Sequence, residues 1–269
     1  TLLASSAASD VYKRQDKEVL HGLTLTIRKG EHVGIRGASG AGKTTLFNLL
    51  LGFYTPTGGE ITIDGEPLTA ANRRRWQNAV GYVSQHVFLL DGTLLENVAL
   101  GEEEEKIDRR RAEESLRAAR LEDFVQSLSA GIDTPIGEAG NKLSGGQRQR
   151  IGIARALIVE PEFIVADEPI SALDMSIRAQ VLNLLRRLQK ERGITYLFIA
   201  HDLSVMRYIS DRIAVIRKGN IVELADAEEL VTHPLHPYTR SLLSAIPMPD
   251  PRREREKKLL VYDPAMHDY

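Results

Sequence analysis

The sequence predicts an α/β fold: a core that carries an antiparallel β subdomain and an inserted helical subdomain. Three observations predict it. An apolar run at 32–36 is followed by a glycine-rich loop at 37–45 and then by a helix-like run at 46–51. A second apolar run, 163–168, ends in two acidic residues. Between about 91 and 158, strand signals stop and helical patterns take over.

The glycine-rich loop fits the phosphate-binding pattern G-x-x-x-x-G-K-[ST] without a mismatch. Its glycines let backbone N–H groups point inward, so that a di- or triphosphate lies at the start of the next helix. Lys43 can then reach the β- and γ-phosphates, and the Thr44 hydroxyl can bind Mg²⁺. A chance match is expected in on the order of one chain in a hundred of this length. The predicted nucleotide-binding residues of the loop are Gly37, Ser39, Gly40, Ala41, Gly42, Lys43, Thr44 and Thr45.

Composition narrows the class of protein. The 269 residues suffice for one large α/β domain with a subdomain and a short tail. The formal net charge is -2 and no long basic stripe is present, so we expect no nucleic-acid partner. The chain has no cysteine, which excludes disulfides and thiolate metal sites. Its apolar runs are shorter than the ~18 residues that a membrane span needs, so any membrane role requires docking to another chain.

Short strands and turns surround the loop. The alternation at 23–27 predicts a half-buried strand, and Lys29-Gly30 predicts a turn. Residues 60–63 predict a strand that turns at Asp64-Gly65. Residues 80–83 predict a further strand that ends at Ser84-Gln85.

Helical patterns fill the inserted segment, and α/β alternation returns after it. The predicted helices lie at 93–98, 106–121, 122–128 and 177–192. A strand is predicted at 195–199, ahead of His201, and a hairpin at 211–224.

The stretch Leu143-Ser144-Gly145-Gly146-Gln147 carries the family resemblance. It is identical to the signature of ATP-binding-cassette (ABC) ATPases. The loop at 37–45 corresponds to the Walker A segment of that family and 163–168 to its Walker B segment. The chain is therefore identified as a member of the ABC family over roughly residues 17–269, which implies a P-loop NTPase core.

The resemblance implies a role for each remaining motif. Gln85 matches the Q-loop, which senses metal and water and links to the helical subdomain. Asp167 would hold the Mg²⁺ shell with Thr44 and Gln85, and Glu168 would orient or deprotonate the attacking water. His201 matches the switch histidine, which contacts the γ-phosphate.

The resemblance also implies partners. Two cassettes of this family pack head to tail, so that Ser144, Gly145, Gly146 and Gln147 of one cover the ATP bound by the other. Asp174, in the D-loop Ser171-Ala172-Leu173-Asp174, would cross that interface. The second cassette could be another copy or a different ABC ATPase. We expect the dimer to be peripheral, docked to integral membrane permease subunits at the cytoplasmic face of the cell membrane.

Different parts of the chain resemble different transporters. Residues 80 to about 147 look like the cassettes of exporters. From about 161 onward, including the tail motif His236-Pro237-Tyr238-Thr239, the chain resembles oligopeptide and dipeptide importer ATPases. The change falls near 143–156, a stretch that both subfamilies share. The sequence is thus either a natural hybrid or a chimera of two genes joined by mistake, and this pattern favours the chimera.

Residues 1–15 fit the rest poorly and resemble a translated sequencing adapter, so we predict a non-native leader there. Tyr12 nevertheless falls where an adenine-stacking aromatic residue is expected, which makes it a candidate for ATP binding. Residues 16–232 would form the nucleotide-binding domain, with the helical subdomain at about 86–158. Residues 233–269 would form a tail of oligopeptide-importer type.

The sequence favours an ATPase subunit that powers peptide import, and three alternatives stay open. The first is the detached nucleotide-binding domain of an ABC exporter. The second is a soluble ABC ATPase outside transport, although the usual tandem cassette or coiled-coil insert is not visible. The third is a regulator that binds but does not hydrolyse ATP, against which the presence of Ser144, Glu168 and His201 argues.

Overall fold

The computed structural model describes residues 2–9, 18–137, 143–246, 252 and 257–267. The chain divides into two compact units. The first comprises Thr1–Ile27, His32–Pro67 and Ala200–Tyr269, and the second comprises Arg28–Glu31 and Leu68–Ile199.

The helices and strands of both units, numbered along the whole chain, alternate as the sequence predicts. The first unit contains β1 (Leu2–Ser9), β2 (Glu18–Ile27), β3 (His32–Arg36), α1 (Lys43–Leu50), β4 (Gly58–Ile63) and β5 (Glu66–Pro67). The second unit contains α2 (Arg73–Asn78), β6 (Val80–Val83), α3 (Leu94–Val98), α4 (Arg109–Ala118), α5 (Glu122–Ser127), α6 (Gly145–Leu157), β7 (Phe163–Asp167), α7 (Met175–Arg192) and β8 (Thr195–Ile199). The first unit resumes with α8 (Leu203–Ile209), β9 (Arg212–Arg217), β10 (Asn220–Asp226), α9 (Ala227–Thr232), α10 (Pro237–Ser244) and α11 (Pro264–His267).

An antiparallel sheet of the first unit has the strand order β2-β1-β4-β5. The predicted hairpin between β4 and β5 is present, with positive φ at both Asp64 (50°) and Gly65 (86°), as a two-residue turn of type I′ requires. The sequence pattern did not predict β1. The backbone of Leu2–Ser9 pairs with β2 on one side and with β4 on the other, although these residues belong to the predicted leader. The origin of residues 1–15 stays a prediction.

The first unit also holds the strand that precedes the phosphate loop. β3 pairs in parallel with β9, and β9 pairs antiparallel with β10. Val33 and Ile35 are fully buried, together with Ile213 and Val215 on β9. A parallel strand that is buried on both faces reads as a continuous apolar run, which explains why 32–36 could be recognised from sequence.

In the second unit three parallel strands stand side by side. β6 pairs with β7, and β7 pairs with β8. All five residues of β8 and four of the five of β7 are buried, and only Asp167 at the end of β7 is partly exposed. The α/β class predicted from the sequence is confirmed.

The helical segment forms as predicted, with shorter helices. Between Asp91 and Ile158 the described residues contain no strand, only one isolated bridge between Thr93 and Pro135. The single helix expected at 106–121 begins later, at Arg109, because the Asp108 carboxylate caps it by accepting the Arg111 N–H. A short 3-10 turn, Glu104–Lys106, precedes it.

A buried asparagine organises the start of this segment. Asn97 is fully buried, and its amide donates to the carbonyl oxygens of Leu90 (3.1 Å) and Thr93 (2.9 Å). Its side-chain oxygen accepts the Leu90 N–H at 2.8 Å. These bonds hold the loop at 88–93 against α3, so the loop's exposed side chains Phe88 and Leu90 stand on a fixed backbone.

Among the residues that the structure describes, no helix is both long and apolar enough to cross a membrane.

We predict that Asn97→Ala destabilises the protein by about 2–4 kcal/mol, because it removes the partners of the Leu90 N–H and carbonyl and one of the two donors to the Thr93 carbonyl. Asn220→Ala is the matched control. Asn220 is exposed and its amide bonds only the nearby Lys218 carbonyl, so its loss should cost less than about 0.5 kcal/mol. Urea unfolding at constant m measures both values. Equal, small effects would show that the Asn97 bonds are dispensable.

Candidate nucleotide-binding site

The phosphate loop connects β3 to α1 inside the first unit. Gly37 begins it in a position where no side chain fits, because a Cβ there would lie 2.5 Å from the Ile216 carbonyl oxygen on β9. Gly42 ends it with φ = 101°, in the left-handed region. The backbone of the β9–β10 turn supports the loop, since the Gly219 N–H donates to the Ala41 carbonyl at 3.1 Å.

The Lys43 ammonium lies inside the loop. It donates to the carbonyl oxygens of Gly37 and Ala38, both at 2.8 Å. The N-cap residue of α1 is Gly42, which has no side chain to cap the helix, and the N-terminus of a helix favours an anion. Thr44 is exposed at the second position of this helix, whereas Thr45 is buried. The loop therefore fits the phosphates of a nucleotide, which would offer Lys43 and the helix N-terminus charged acceptors.

His201 lies in the same unit as the phosphate loop. It follows Ala200 and directly precedes Asp202, whose carboxylate caps α8 by accepting the Ser204 N–H at 2.8 Å. The imidazole is exposed, and its Nδ1 lies 3.3 Å from Nη1 of Arg36 at the end of β3. The sequence analysis singled out His201 but not Arg36.

The predicted catalytic pair of the second unit is in contact. Glu168 follows β7, is 8% exposed and adopts φ = 46°, an uncommon backbone conformation for a residue other than glycine. Gln85 donates its amide to Glu168 Oε2 at 3.3 Å and to Ser171 Oγ at 3.1 Å. Backbone strain of this kind costs of order 1–3 kcal/mol and clusters at functional sites. The Q-loop side chain and the candidate catalytic carboxylate thus form one hydrogen-bonded group.

Asp167 has a neighbour that the sequence analysis missed. The Tyr82 hydroxyl, on the adjacent strand β6, donates to Asp167 Oδ2 at 3.5 Å. Burial raises the pKa of Tyr82, and the charge of Asp167 raises it further. Neighbouring parallel strands end at the same edge of a sheet. The sequence places Tyr82 near the end of β6, three residues before Gln85, and Asp167 at the end of β7. These positions could have indicated that the two side chains lie close together.

The signature residues form the N-terminus of α6. Ser144 and Gln147 make a capping box: Gln147 N–H donates to Ser144 Oγ at 3.2 Å, and Ser144 N–H donates to Gln147 Oε1 at 2.8 Å. Gly146 is buried, and a Cβ there would lie 2.9 Å from Ile177 on α7. Ser144 and Gly145 are exposed, so the helix start faces solvent with its serine oriented.

One face of α6 packs along the Q-loop segment. Gln149 donates to the Ser84 carbonyl at 3.4 Å, and Gly152 contacts the side chain of Val87 closely. Arg155 donates to the carbonyl oxygens of Phe88 (2.9 Å) and Asn97 (2.8 Å). Burial lowers the pKa of Arg155. The helix that starts with the signature is therefore fixed to residues 84–97 at three successive points.

The D-loop residue Asp174 occupies the N-cap position of α7. Its carboxylate makes no capping hydrogen bond and is exposed. The backbone just before it is held by Arg178, which donates to the carbonyl oxygens of Leu173 (2.6 Å) and Ser171 (3.0 Å). Asp174 is thus presented outward from a fixed loop.

The structure brings the predicted residues together in two groups. Lys43, the loop backbone and His201 belong to the first unit, whereas Gln85, Asp167, Glu168, the signature and Asp174 belong to the second. Tyr12 lies outside the described residues. No cluster of three or more His, Cys, Asp or Glu side chains that could hold a metal exists among the described residues. Mg²⁺ usually takes one or two carboxylates plus substrate phosphates, so it does not require such a cluster.

Family comparison agrees with these motifs. Residues 20–171 match the model of the family described as "ABC transporter". The chain belongs to the ABC transporter ATPase family. In this ABC ATPase, residues 222–267 also match the family "Oligopeptide/dipeptide transporter, C-terminal region". The family assignment made from the signature is confirmed, and ATP is the nucleotide that the family binds and hydrolyses.

Individual relatives resemble the ABC ATPase over most of its length. The oligopeptide transport ATP-binding protein OppF of Streptococcus pyogenes serotype M1 is 47% identical over 261 residues, which cover 90% of this chain and 80% of the relative. OppF of Bacillus subtilis strain 168 is 46% identical and covers 91% and 81% of the two chains. The dipeptide transport ATP-binding protein DppF of Lactococcus lactis subsp. cremoris is 44% identical, with coverage of 94% and 82%.

A solved structure of a bacterial Atm1-family ABC exporter with ATP bound is also similar. Its TM-score is 0.73 at 34% identity, and the match covers 86% of this ABC ATPase but only 39% of the exporter chain. The fold of the nucleotide-binding domain is therefore common to both transporter types.

We predict that two substitutions of Ser144 distinguish its role as the cap of α6 from its proposed role in binding phosphate. Ser144→Ala removes the cap of α6 and should cost about 1 kcal/mol of stability. Ser144→Asp keeps a capping oxygen and should preserve the stability, yet it places a negative charge where a phosphate would bind. Thermal unfolding measures the effect of each substitution on stability, and ATP-dependent dimerisation measures its effect on phosphate binding. Normal dimerisation of Ser144→Asp would contradict a phosphate contact at this helix start.

Proposed function

We propose that this ABC ATPase powers the import of oligopeptides or dipeptides through a membrane permease. The observation that carries the proposal is the match of residues 222–267 to the C-terminal region of oligopeptide/dipeptide transporters. Relatives named as oligopeptide or dipeptide transport ATP-binding proteins support it, because their similarity extends over 90% or more of the chain.

The C-terminal region packs on the hairpin β9–β10 of the first unit. The Arg217 guanidinium lies 4.4 Å from the ring centre of Tyr262 and 5.7 Å from that of Tyr238. The Glu223 carboxylate accepts the backbone N–H groups of Leu235 (2.7 Å) and His236 (3.1 Å). His236 in turn caps α10, because its Nδ1 accepts the Tyr238 N–H at 3.1 Å. Cation–π and charge-assisted contacts thus hold the importer-type region on the hairpin β9–β10.

In the proposed ATP site each residue has one role. Lys43 and the loop N–H groups bind the β- and γ-phosphates. Thr44 and Asp167, with Gln85, would hold Mg²⁺, which when bound neutralises phosphate charge during phosphoryl transfer. Glu168 accepts a proton from, or orients, the attacking water, and Gln85 fixes the Glu168 carboxylate through its amide. His201 donates to the γ-phosphate.

A head-to-tail dimer completes this site. Ser144 and Asp174 are both exposed; Ser144 is oriented by its capping box with Gln147, and Arg178 holds the backbone carbonyl just before Asp174. A second copy, or a different ABC ATPase, would place its signature helix start on the ATP bound here. ATP then joins the two cassettes, and hydrolysis releases them.

The proposed permease contact is the loop at 88–90. Phe88 is 68% and Leu90 40% exposed, while Asn97 and Arg155 fix the backbone beneath them. Exposed apolar side chains on a rigid backbone suit the docking of a protein partner. We place the dimer peripherally at the cytoplasmic face of the membrane, bound to permease subunits.

The exporter-like appearance of residues 80–147 favours a second candidate, the nucleotide-binding domain of an exporter. A match that covers 90% of the chain includes this segment as well as the C-terminal half, which weighs for a peptide-transport ATPase throughout. A single amplification of the coding sequence from Val80 to Tyr238, read as one molecule, tests the hybrid directly. One continuous product supports a natural gene, whereas two separate products would show that the chain joins two proteins.

We predict that Glu168→Gln lowers steady-state ATP turnover about 100-fold or more, because the amide cannot accept the proton of the attacking water. Glu162→Gln is the matched control, since Glu162 is exposed and its carboxylate pairs only with Lys29 at 3.1 Å. The Glu168→Gln variant should still bind ATP and should accumulate as an ATP-bound dimer. Equal turnover in wild type and Glu168→Gln would refute the ATPase assignment of this residue.

We predict that the chain restores uptake of a labelled oligopeptide in Bacillus subtilis cells whose OppF has been removed. The Lys43→Ala variant is the control, because it loses the ammonium that binds phosphate in the proposed site. Uptake is measured over minutes with both proteins present at equal amounts. Uptake no greater than that of Lys43→Ala cells would contradict peptide import.

A further inference from the structure

Arg36 lies outside the motifs that identify the family, yet its guanidinium contacts the imidazole of His201. Arg36 is the last residue of β3, directly before the phosphate loop. Its Nη1 lies 3.3 Å from Nδ1 of His201, and both residues belong to the first unit.

Only one ring nitrogen of a neutral histidine carries a proton, and the other accepts hydrogen bonds. A guanidinium has five donors and no acceptor, and it stays charged throughout the physiological pH range. Nδ1 of His201 must therefore accept the bond from Arg36. It follows that the proton of the neutral imidazole lies on Nε2.

We propose that Arg36 is a positioning residue that holds His201 in the Nε2–H tautomer. The inference rests on the proposed function, in which His201 donates to the γ-phosphate. With the proton on Nε2, the nitrogen that points away from Arg36 is a donor. In the other tautomer the same nitrogen would turn a lone pair toward a negatively charged oxygen, which is repulsive.

The backbone on either side keeps this contact in place. Arg36 is aligned with Val215 of β9 in the parallel pair, and Gly37 directly after it packs on the Ile216 carbonyl. The charged group adjacent to His201 is Asp202, and its carboxylate accepts the Ser204 N–H at the start of α8. The end of β3 thus brings the Arg36 guanidinium to Nδ1, while the neighbouring carboxylate serves as a helix cap.

Two substitutions test whether the tautomer depends on Arg36 being unable to accept a hydrogen bond. Arg36→Lys keeps a side chain that can only donate, so it should preserve the Nε2–H tautomer. Arg36→Gln offers both a donor and an acceptor and so tolerates either tautomer. Unfolding temperatures of both variants establish that the fold is retained.

The experiment is ¹⁵N NMR of the histidine rings in full-length protein without nucleotide, at a pH above the ordinary histidine range. The chain has 7 histidines, and His201→Gln assigns the signal of interest. We expect a single Nε2–H tautomer in wild type and in Arg36→Lys, and a mixture of tautomers in Arg36→Gln. The apparent affinity of Arg36→Gln for ATP should then fall by the same factor as its Nε2–H fraction.

A mixed or Nδ1–H tautomer in wild type would overturn the proposal, and so would an unchanged single tautomer in Arg36→Gln. The NMR result does not depend on turnover. If wild type shows the Nε2–H tautomer but no ATPase activity, the proposed function fails while the role of Arg36 stands.

Discussion

The phosphate loop is closed on itself by one interaction, the donation of the Lys43 ammonium to the carbonyl oxygens of Gly37 and Ala38. The other features of the first unit serve to hold this loop. β3 enters it buried, the Ile216 carbonyl leaves room only for glycine at position 37, and the β9–β10 turn binds the Ala41 carbonyl. In the proposed site, phosphate oxygens would offer Lys43 negatively charged acceptors, which adds an attraction between opposite charges that the neutral carbonyl oxygens lack. The loop thus holds the Lys43 ammonium at the position from which, in the proposed site, it would bind phosphate.

In the second unit, polar side chains that are candidate catalytic groups lie at the end of a buried strand. Asp167 is the last residue of β7, whose other residues are buried, and Glu168 directly after it has a positive φ, at which the chain turns. Gln85 and Ser171 hold the Glu168 carboxylate and backbone. α6 then connects these residues to the surface, because the helix that begins at Ser144 is bonded to the Q-loop segment through Gln149 and Arg155.

Much of this could be predicted from sequence, for physical reasons that differ between elements. Strands such as β7 read as apolar runs because both of their faces are buried, and the phosphate loop is recognisable because its backbone demands glycine. The boundary of α4 was misplaced because the Asp108 cap overrode a continuous helical pattern. The contacts Arg36–His201, Tyr82–Asp167 and Arg155–Asn97 could not be predicted, because each joins residues that are far apart in sequence and only the folded chain brings them together.

The most direct test of this account is a crystal structure of the Glu168→Gln variant with ATP and Mg²⁺. The account predicts that Lys43 leaves the carbonyl oxygens of Gly37 and Ala38 for the β- and γ-phosphates. It also predicts that the Ser144 helix start of a second copy covers the γ-phosphate. Phosphates bound away from Lys43, or a bound ATP that no second signature helix approaches, would contradict it.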